Sequence, residues 1–366
     1  MRKAQRPSSI LSLVLAASLA VAGETPAGAQ QAPDVLPSAR LAVEPLPYSN
    51  SFSSFREVAI DGDTAVIASA LPDLSRGSAW VFRRTRQGWR QEARLAPAPG
   101  ETMPGLGFGC SVAISGATIA VGALSNGVFV FTDDAGAWRE QALLPAQRFS
   151  SSFGQEVAIS GDRILVSSTN AASQVVGSGA FAFARTGDTW RLDGSFVDET
   201  SNSYGQSVAL SDNLAAVGSS DAIDLFVHGR GAWHPRARIV GDVGGSSLLA
   251  FSGTTLAAAD AFDRVVKIFI WRQGTWHSDG EMAFEALGSM ALDGDTLVLA
   301  ARSGPVLVYG RSFDKWSLTA ELTLPPGAPD AGFGRAVAVS GRTAVVAADG
   351  AAWVFDLPTG TRGSPP

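Results

Sequence analysis

Six polar residues recur at one place in a repeated line of this sequence: Arg56, Glu57, Gln155, Glu156, Gln206 and Arg335. Two carboxyls such as Glu57 and Glu156 could act as acid and base on a glycan, and the set as a whole could ring the mouth of a central channel and bind a polar ligand. The same residues could equally bond to water and to one another and plug a channel. Cys110, the single cysteine, stands in the same column, and a nucleophilic thiol needs a partner base that the sequence does not identify. His228 lies at the end of an apolar run, and His234 and His277 lie just after tryptophans. Read from the repeat, the three histidines sit towards one rim in different units, whereas a zinc or acid-base site needs them convergent. No catalytic residue, metal or cofactor is therefore assigned.

The elements that carry these residues repeat. "FGCSVAISGATIAVGA" from Phe108 returns as "FGQEVAISGDRILVSS" from Phe153, "YGQSVALSDNLAAVGS" from Tyr204 and "FGRAVAVSGRTAVVAA" from Phe333. Aligned on the turn glycine, seven copies fall at Gly62, Gly116, Gly161, Asp212, Gly253, Gly294 and Gly341, about 46 residues apart, which suits a four-stranded propeller blade. Two apolar runs flank that turn as a hairpin. A variable loop leads to a third run such as "GVFVF", and a turn like "RQGW" opens a fourth. "DGD" at Asp61 to Asp63 and at Asp293 to Asp295 could suggest calcium, but Asp and Gly favour such turns for backbone reasons.

Every copy has alanine three residues before the aligned turn residue, from Ala59 to Ala338. A small side chain suits the crowded axis of a radial array, so this run is the innermost strand. The turn tryptophans Trp89, Trp138, Trp190, Trp233, Trp276 and Trp316 read as core packing. Copy seven ends without a fourth run, and "SARLAVEPLP" at 38 to 47 resembles the fourth run of copy one, "EARLAPAPG". The expected fold is all-β: a seven-bladed β-propeller of four-stranded antiparallel blades, closed by an N-terminal strand that removes an open edge.

"FGCSVAIS" followed by "GALSNGVFVF" resembles the FG-GAP repeat, the blade unit of the integrin α head and of exported bacterial proteins. The resemblance runs from about residue 38 to 357; copies one, five and six depart from it, with Ser54-Phe55, Gly245-Ser246 and Ala286-Leu287. In that family some blades bind calcium in the loop between the second and third strands. The corresponding loops here lack closely spaced oxygen ligands, so calcium independence is expected.

Composition sets the outer bounds. Of 366 residues, 46% are hydrophobic and 17% charged, with a net charge of −6, which disfavours nucleic acid and anionic membranes as partners. A basic start, an apolar run from Ile10 to Ala22 and Ala27-Gly28-Ala29 read as a signal peptide over 1–29. A linker over 30–37, the propeller over 38–357 and a disordered tail over 358–366 follow. The expectation is a secreted or periplasmic monomer, not inserted in a membrane. Its role is a non-catalytic binding or adhesion scaffold for a protein or glycan, the alternative being a propeller enzyme acting on an extracellular polymer. Its long connections gather on the face opposite the tight turns, where backbone is free to carry function.

Overall fold

In the computed structural model, residues 32–43, 57–69, 77–97, 107–146 except 125, 152–169, 178–240, 248–260, 264–301 except 285, 304–328 and 331–358 are described. They form seven sheets, built from consecutive antiparallel strands except that one strand from the start of the chain joins each of the last two, and no helix is present among them. Blade three shows the plan: Val157–Ser160, Arg163–Ser168, Ser178–Thr186 and Thr189–Asp198. Blades one to seven occupy 57–95, 108–145, 157–198, 207–240, 249–283, 287–322 and 337–356.

Exposure follows position in the blade. Second strands such as Thr64–Ser69 and Thr118–Ala123 are buried at every residue, because both faces pack on neighbouring blades. They accordingly read as continuous apolar runs without polar alternation. Fourth strands such as Gly88–Leu95 are mostly exposed and carry the charge. The core lies in the seams: Val128, Val130 and Leu144 of blade two meet Ile164, Val166, Phe181 and Phe183 of blade three, each such side chain contributing about 1.5–3 kcal/mol when fully buried. The first strands, which carry the alanine column, pack one against the next around the ring, with blade seven against blade one.

The chain's own start closes that ring. Ala39–Ala42 pairs antiparallel with Ala351–Asp356, from Ala39 opposite Val354 to Ala42 opposite Ala351. Leu41, 1% exposed, enters the core between blades seven and one with Trp80, Phe82 and Val354, the place that Leu95 takes one seam further on. Within the segment expected as a linker, Asp34–Val35 add a short fifth strand, parallel to the outer strand of blade six. Of the expected closing strand, residues 44–47 lie outside the described residues.

Each hairpin turn between first and second strands is tied to the third strand of its own blade. Arg84, Asp133, Arg185, His228, Trp271, Arg311 and Leu357 donate their N–H groups to the carbonyls of Asp63, Ala117, Asp162, Asn213, Thr254, Asp295 and Arg342. Both tight turns of a blade therefore share one face, and the longer connections leave from the other.

Candidate functional site

The aromatic-glycine pair is a tight turn that leads into the first strand. The N–H groups of Cys110, Gln155, Gln206 and Arg335 donate to the carbonyls of Gly107, Ser152, Ser203 and Gly332 at 2.8, 3.1, 3.1 and 3.0 Å. Between donor and acceptor, Gly109, Gly154, Gly205 and Gly334 have φ of 87°, 84°, 81° and 85°, as the third residue of a type II turn does. The glycine is also where the previous blade comes closest, since a Cβ on Gly205 would overlap the Gly179 carbonyl. Phe108, Phe153 and Tyr204 are buried, and Phe153 packs in the seam with blade two. In these four blades the motif thus wedges the entry against the preceding blade and leads into the residues expected at the channel mouth.

Of the six residues expected there, Arg56 lies outside the described residues. Gln155 and Arg335 are exposed and Gln206 is half-buried, and Arg335 pairs with Asp349 at 3.6 Å. Glu57 of blade one comes within electrostatic reach of both Cys110 of blade two and Glu156 of blade three. Burial within the ring, with the Glu57 charge adding to it, pushes the Glu156 carboxyl up to about 8, and the Val208 N–H pulls the other way. That N–H donates to Glu156 Oε2 at 3.1 Å, across the seam into blade four. At the equivalent place between blades six and seven, Val337 N–H donates to Ser289 Oγ at 3.0 Å. Glu156 therefore occupies a bridging position in which a serine serves elsewhere.

Cys110 is half-buried, and its thiol donates to the Gly154 carbonyl at 3.2 Å beside the Ser111 hydroxyl at 2.8 Å. Burial, with a smaller contribution from Glu57, pushes the thiol up to about 11. A thiol held so far from ionisation has little thiolate at neutral pH.

Two further sets of inter-blade bonds were not legible as such in the sequence. At six of the seven seams the residue before the turn glycine accepts the turn N–H of the next blade: Asp61 from Gly116, Ser115 from Gly161, Ser160 from Asp212, Ser252 from Gly294, Asp293 from Gly341 and Ser340 from Gly62, at 2.6–3.0 Å. This accounts for the first aspartate of each "DGD". The last ones, Asp63 and Asp295, lie 3.6 and 3.8 Å from Arg84 and Arg311.

The second set lies on the outer strands. Three residues after Trp89, Glu92 is left unpaired, because Gln91 faces Phe82 and Ala93 faces Val81. Gln141, Asp193, Arg236, Asp279 and Thr319 stand at the same bulge in blades two to six. The bulge turns its side chain to the next blade's tryptophan. Indole N–H groups of Trp138, Trp190, Trp233 and Trp316 donate to Glu92, Gln141, Asp193 and Asp279 at 3.1, 2.9, 2.9 and 3.2 Å. The spacing Trp-x-x-acceptor was the available signal.

The histidines differ from expectation. His228 and His234 belong to the same blade, the fourth, where Val227 faces His234 across adjacent strands. His228 is also no rim residue: its side chain, 13% exposed, lies in the seam, with Nδ1 3.0 Å from Arg163 and Nε2 3.4 Å from Asp193. The alignment placed it by its distance from the turn and could not show that the neighbouring blade covers it. His277 bonds to Thr275 in blade five. Among the described residues no three His, Cys, Asp or Glu side chains gather so as to hold a metal ion.

Clefts open at the surface of the described residues. One of about 720 Å3 lies on the tight-turn face of blades two and three, lined by Thr118, Asp133, Asp162, Arg185 and Asp188 among others. Another, about 370 Å3, is lined by Leu322, Leu324, Pro325 and Phe333 among others. Neither is lined by the residues expected at the channel mouth. On the long-connection face, Asp198 accepts both the amide and the hydroxyl of Thr200, at 2.8 and 2.6 Å, which holds its carboxyl below the usual range. The segments 98–106 and 170–177 of that face, and much of the loops weighed for calcium, lie outside the described residues.

A family model described as "FG-GAP repeat" matches residues 89–137 and 316–356. These two stretches match the FG-GAP repeat, on a ring of seven four-stranded blades. Among solved structures, a chain of the "Crystal Structure of Mitotic Checkpoint Complex" is similar at a TM-score of 0.62 and 12% identity, over 96% of this chain and 99% of that one. The β-propeller domain of Myceliophteria thermophila Cps50 (Swd1) is similar at 0.60 and 11%, over 83% and 97%. Saccharomyces cerevisiae Sqt1 is similar at 0.52 and 10%, over 90% and 99%. At these identities the likeness is one of fold. No curated protein matches the chain by sequence. A β-propeller carrying FG-GAP repeats suggests a binding or scaffold role, and among the described residues no helix is long and apolar enough to cross a membrane.

Proposed function

We propose that the protein is an exported, non-catalytic binding or adhesion scaffold that presents a protein- or glycan-binding surface on its long-connection face, around the channel mouth. The observation that carries this reading is the bond from Val208 N–H to Glu156 Oε2, matched between blades six and seven by Val337 and Ser289. The carboxyl best placed for acid-base work is thereby engaged in holding two blades together. Export rests on the basic and apolar start of the chain.

The test is a glycan array and a panel of extracellular proteins probed with paired variants. Alanine changes in 97–107 and 199–203 should weaken whatever binding is found, while changes at Arg86, Gln87 and Asp188 in the tight turns should not. The reverse pattern would move function to the tight-turn face. One observation favours the enzyme reading: Glu156 keeps its proton near neutral pH with a second carboxyl, Glu57, in reach. On that reading Glu57→Gln or Glu156→Gln abolishes a measurable turnover.

A further inference from the structure

The repeat contains its own control for one unusual seam. In three seams the bulge residue is a carboxylate that accepts a tryptophan N–H and lies near an arginine: Glu92 with Trp138 and Arg83, Asp193 with Trp233 and Arg163, Asp279 with Trp316 and Arg311. Between blades four and five the bulge residue is Arg236 instead. The indole N–H of Trp276 is consequently buried without a hydrogen-bond partner, and a buried donor left so costs about 1–3 kcal/mol. Arg236, exposed, lies over the Trp271 ring at 5.5 Å, and Trp271 packs against Trp276 at 5.4 Å between ring centroids. The seam thus retains the indole donor and places an arginine where the carboxylate stands elsewhere.

A second observation concerns charge. Of the six outer strands that follow a turn tryptophan, Ala232–Val240 alone has no acidic residue, while it carries His234, Arg236 and Arg238. This occurs in a chain whose net charge is −6. Pro235 lies in the same strand and removes a backbone donor from that open edge, which disfavours a partner that adds as a β-strand. Side-chain recognition beside indole rings remains, and such rings suit the face of a sugar.

We propose that the seam between blades four and five binds the carboxylate of an acidic glycan, a uronate, with Arg236 and the Trp276 N–H as its donors. Arg236 swings from Trp271 to admit the carboxylate, which takes the place that Glu92, Asp193 and Asp279 fill elsewhere. The site is separate from the channel mouth, so the loop variants above should leave it unchanged, and the two readings can fail independently.

The test is calorimetric titration of the full-length protein with a galacturonate oligomer, its neutral methyl ester and a poly-glutamate peptide of similar charge. The oligomer should bind, the ester at least tenfold more weakly, and the peptide likewise. Arg236→Glu should weaken oligomer binding at least tenfold while leaving the melting temperature equal or higher, because it supplies the missing acceptor; Arg236→Ala serves as the second variant. The Trp276 indole N–H resonance, assigned with Trp276→Phe, should shift on titration. No binding by the wild type, equal binding by Arg236→Glu, equal binding of the ester, or a peptide that binds as tightly as the oligomer would each overturn the proposal.

Discussion

Glu156 shows how much one side chain's meaning depends on the neighbouring blade. Its carboxyl spans a seam, so Glu156→Ala would leave the N–H of Val208, which is 6% exposed, without its acceptor, at a cost of about 1–3 kcal/mol. Glu156→Gln retains an acceptor and removes the ionisation. In the fold the carboxyl titrates near 8, against an ordinary 4.5, so the folded protein holds a proton that the unfolded chain has lost. The resulting stability is fully present below about 4.5 and is lost as pH rises through 8. Thermal melts across that range should show the wild type losing stability relative to Glu156→Gln as pH rises; parallel curves would contradict the assignment. The sequence placed Glu156 at the channel mouth. Its partner, Val208, lies 52 positions away, and a column in an alignment does not say which way a side chain crosses.

At the scale of the element, the aromatic-glycine turn and the hairpin turn use glycine for different reasons, and substitution should separate them. Gly62 has φ of 54° and open space where a Cβ would go, so Gly62→Ala should cost about 1–2 kcal/mol from backbone strain alone. Gly205 has φ of 81° and the Gly179 backbone against it, so Gly205→Ala should cost more than twice that or prevent folding. Urea denaturation of the two variants checks the order, and equal losses would contradict the wedge. Both glycines were visible as repeat positions. The bulge acceptors Glu92, Gln141, Asp193 and Asp279 were visible only as a spacing after tryptophan. A single chain's periodicity fixes which residues are equivalent, whereas the bulge that aims them is a feature of strand pairing.

At the scale of the molecule, the ring depends on a strand from the start of the chain. Ala39–Ala42 completes blade seven and Leu41 seals the seam with blade one. Removing residues 30–43 should expose the edge of Ala351–Asp356 and open the core there, with a lower melting temperature or aggregation; an unchanged melt would contradict closure. This strand was legible because its sequence repeats that of another blade's fourth strand. The parallel pair at Asp34–Val35 was not, since two residues carry no pattern. The turn aspartates Asp61 and Asp293 accept hydrogen bonds from the next blade, so EDTA should leave the melting temperature unchanged, and a drop reversed by added calcium would contradict that reading.

The central proposal is that Glu156 bridges blades three and four and that neither it nor Glu57 carries out chemistry. Its most direct test is turnover of a panel of chromogenic glycosides, including uronides, by the purified wild type beside Glu57→Gln and Glu156→Gln. The account predicts no turnover above the heat-denatured blank for any of the three proteins. Turnover by the wild type that disappears in either glutamine variant, with its fold intact, would contradict it.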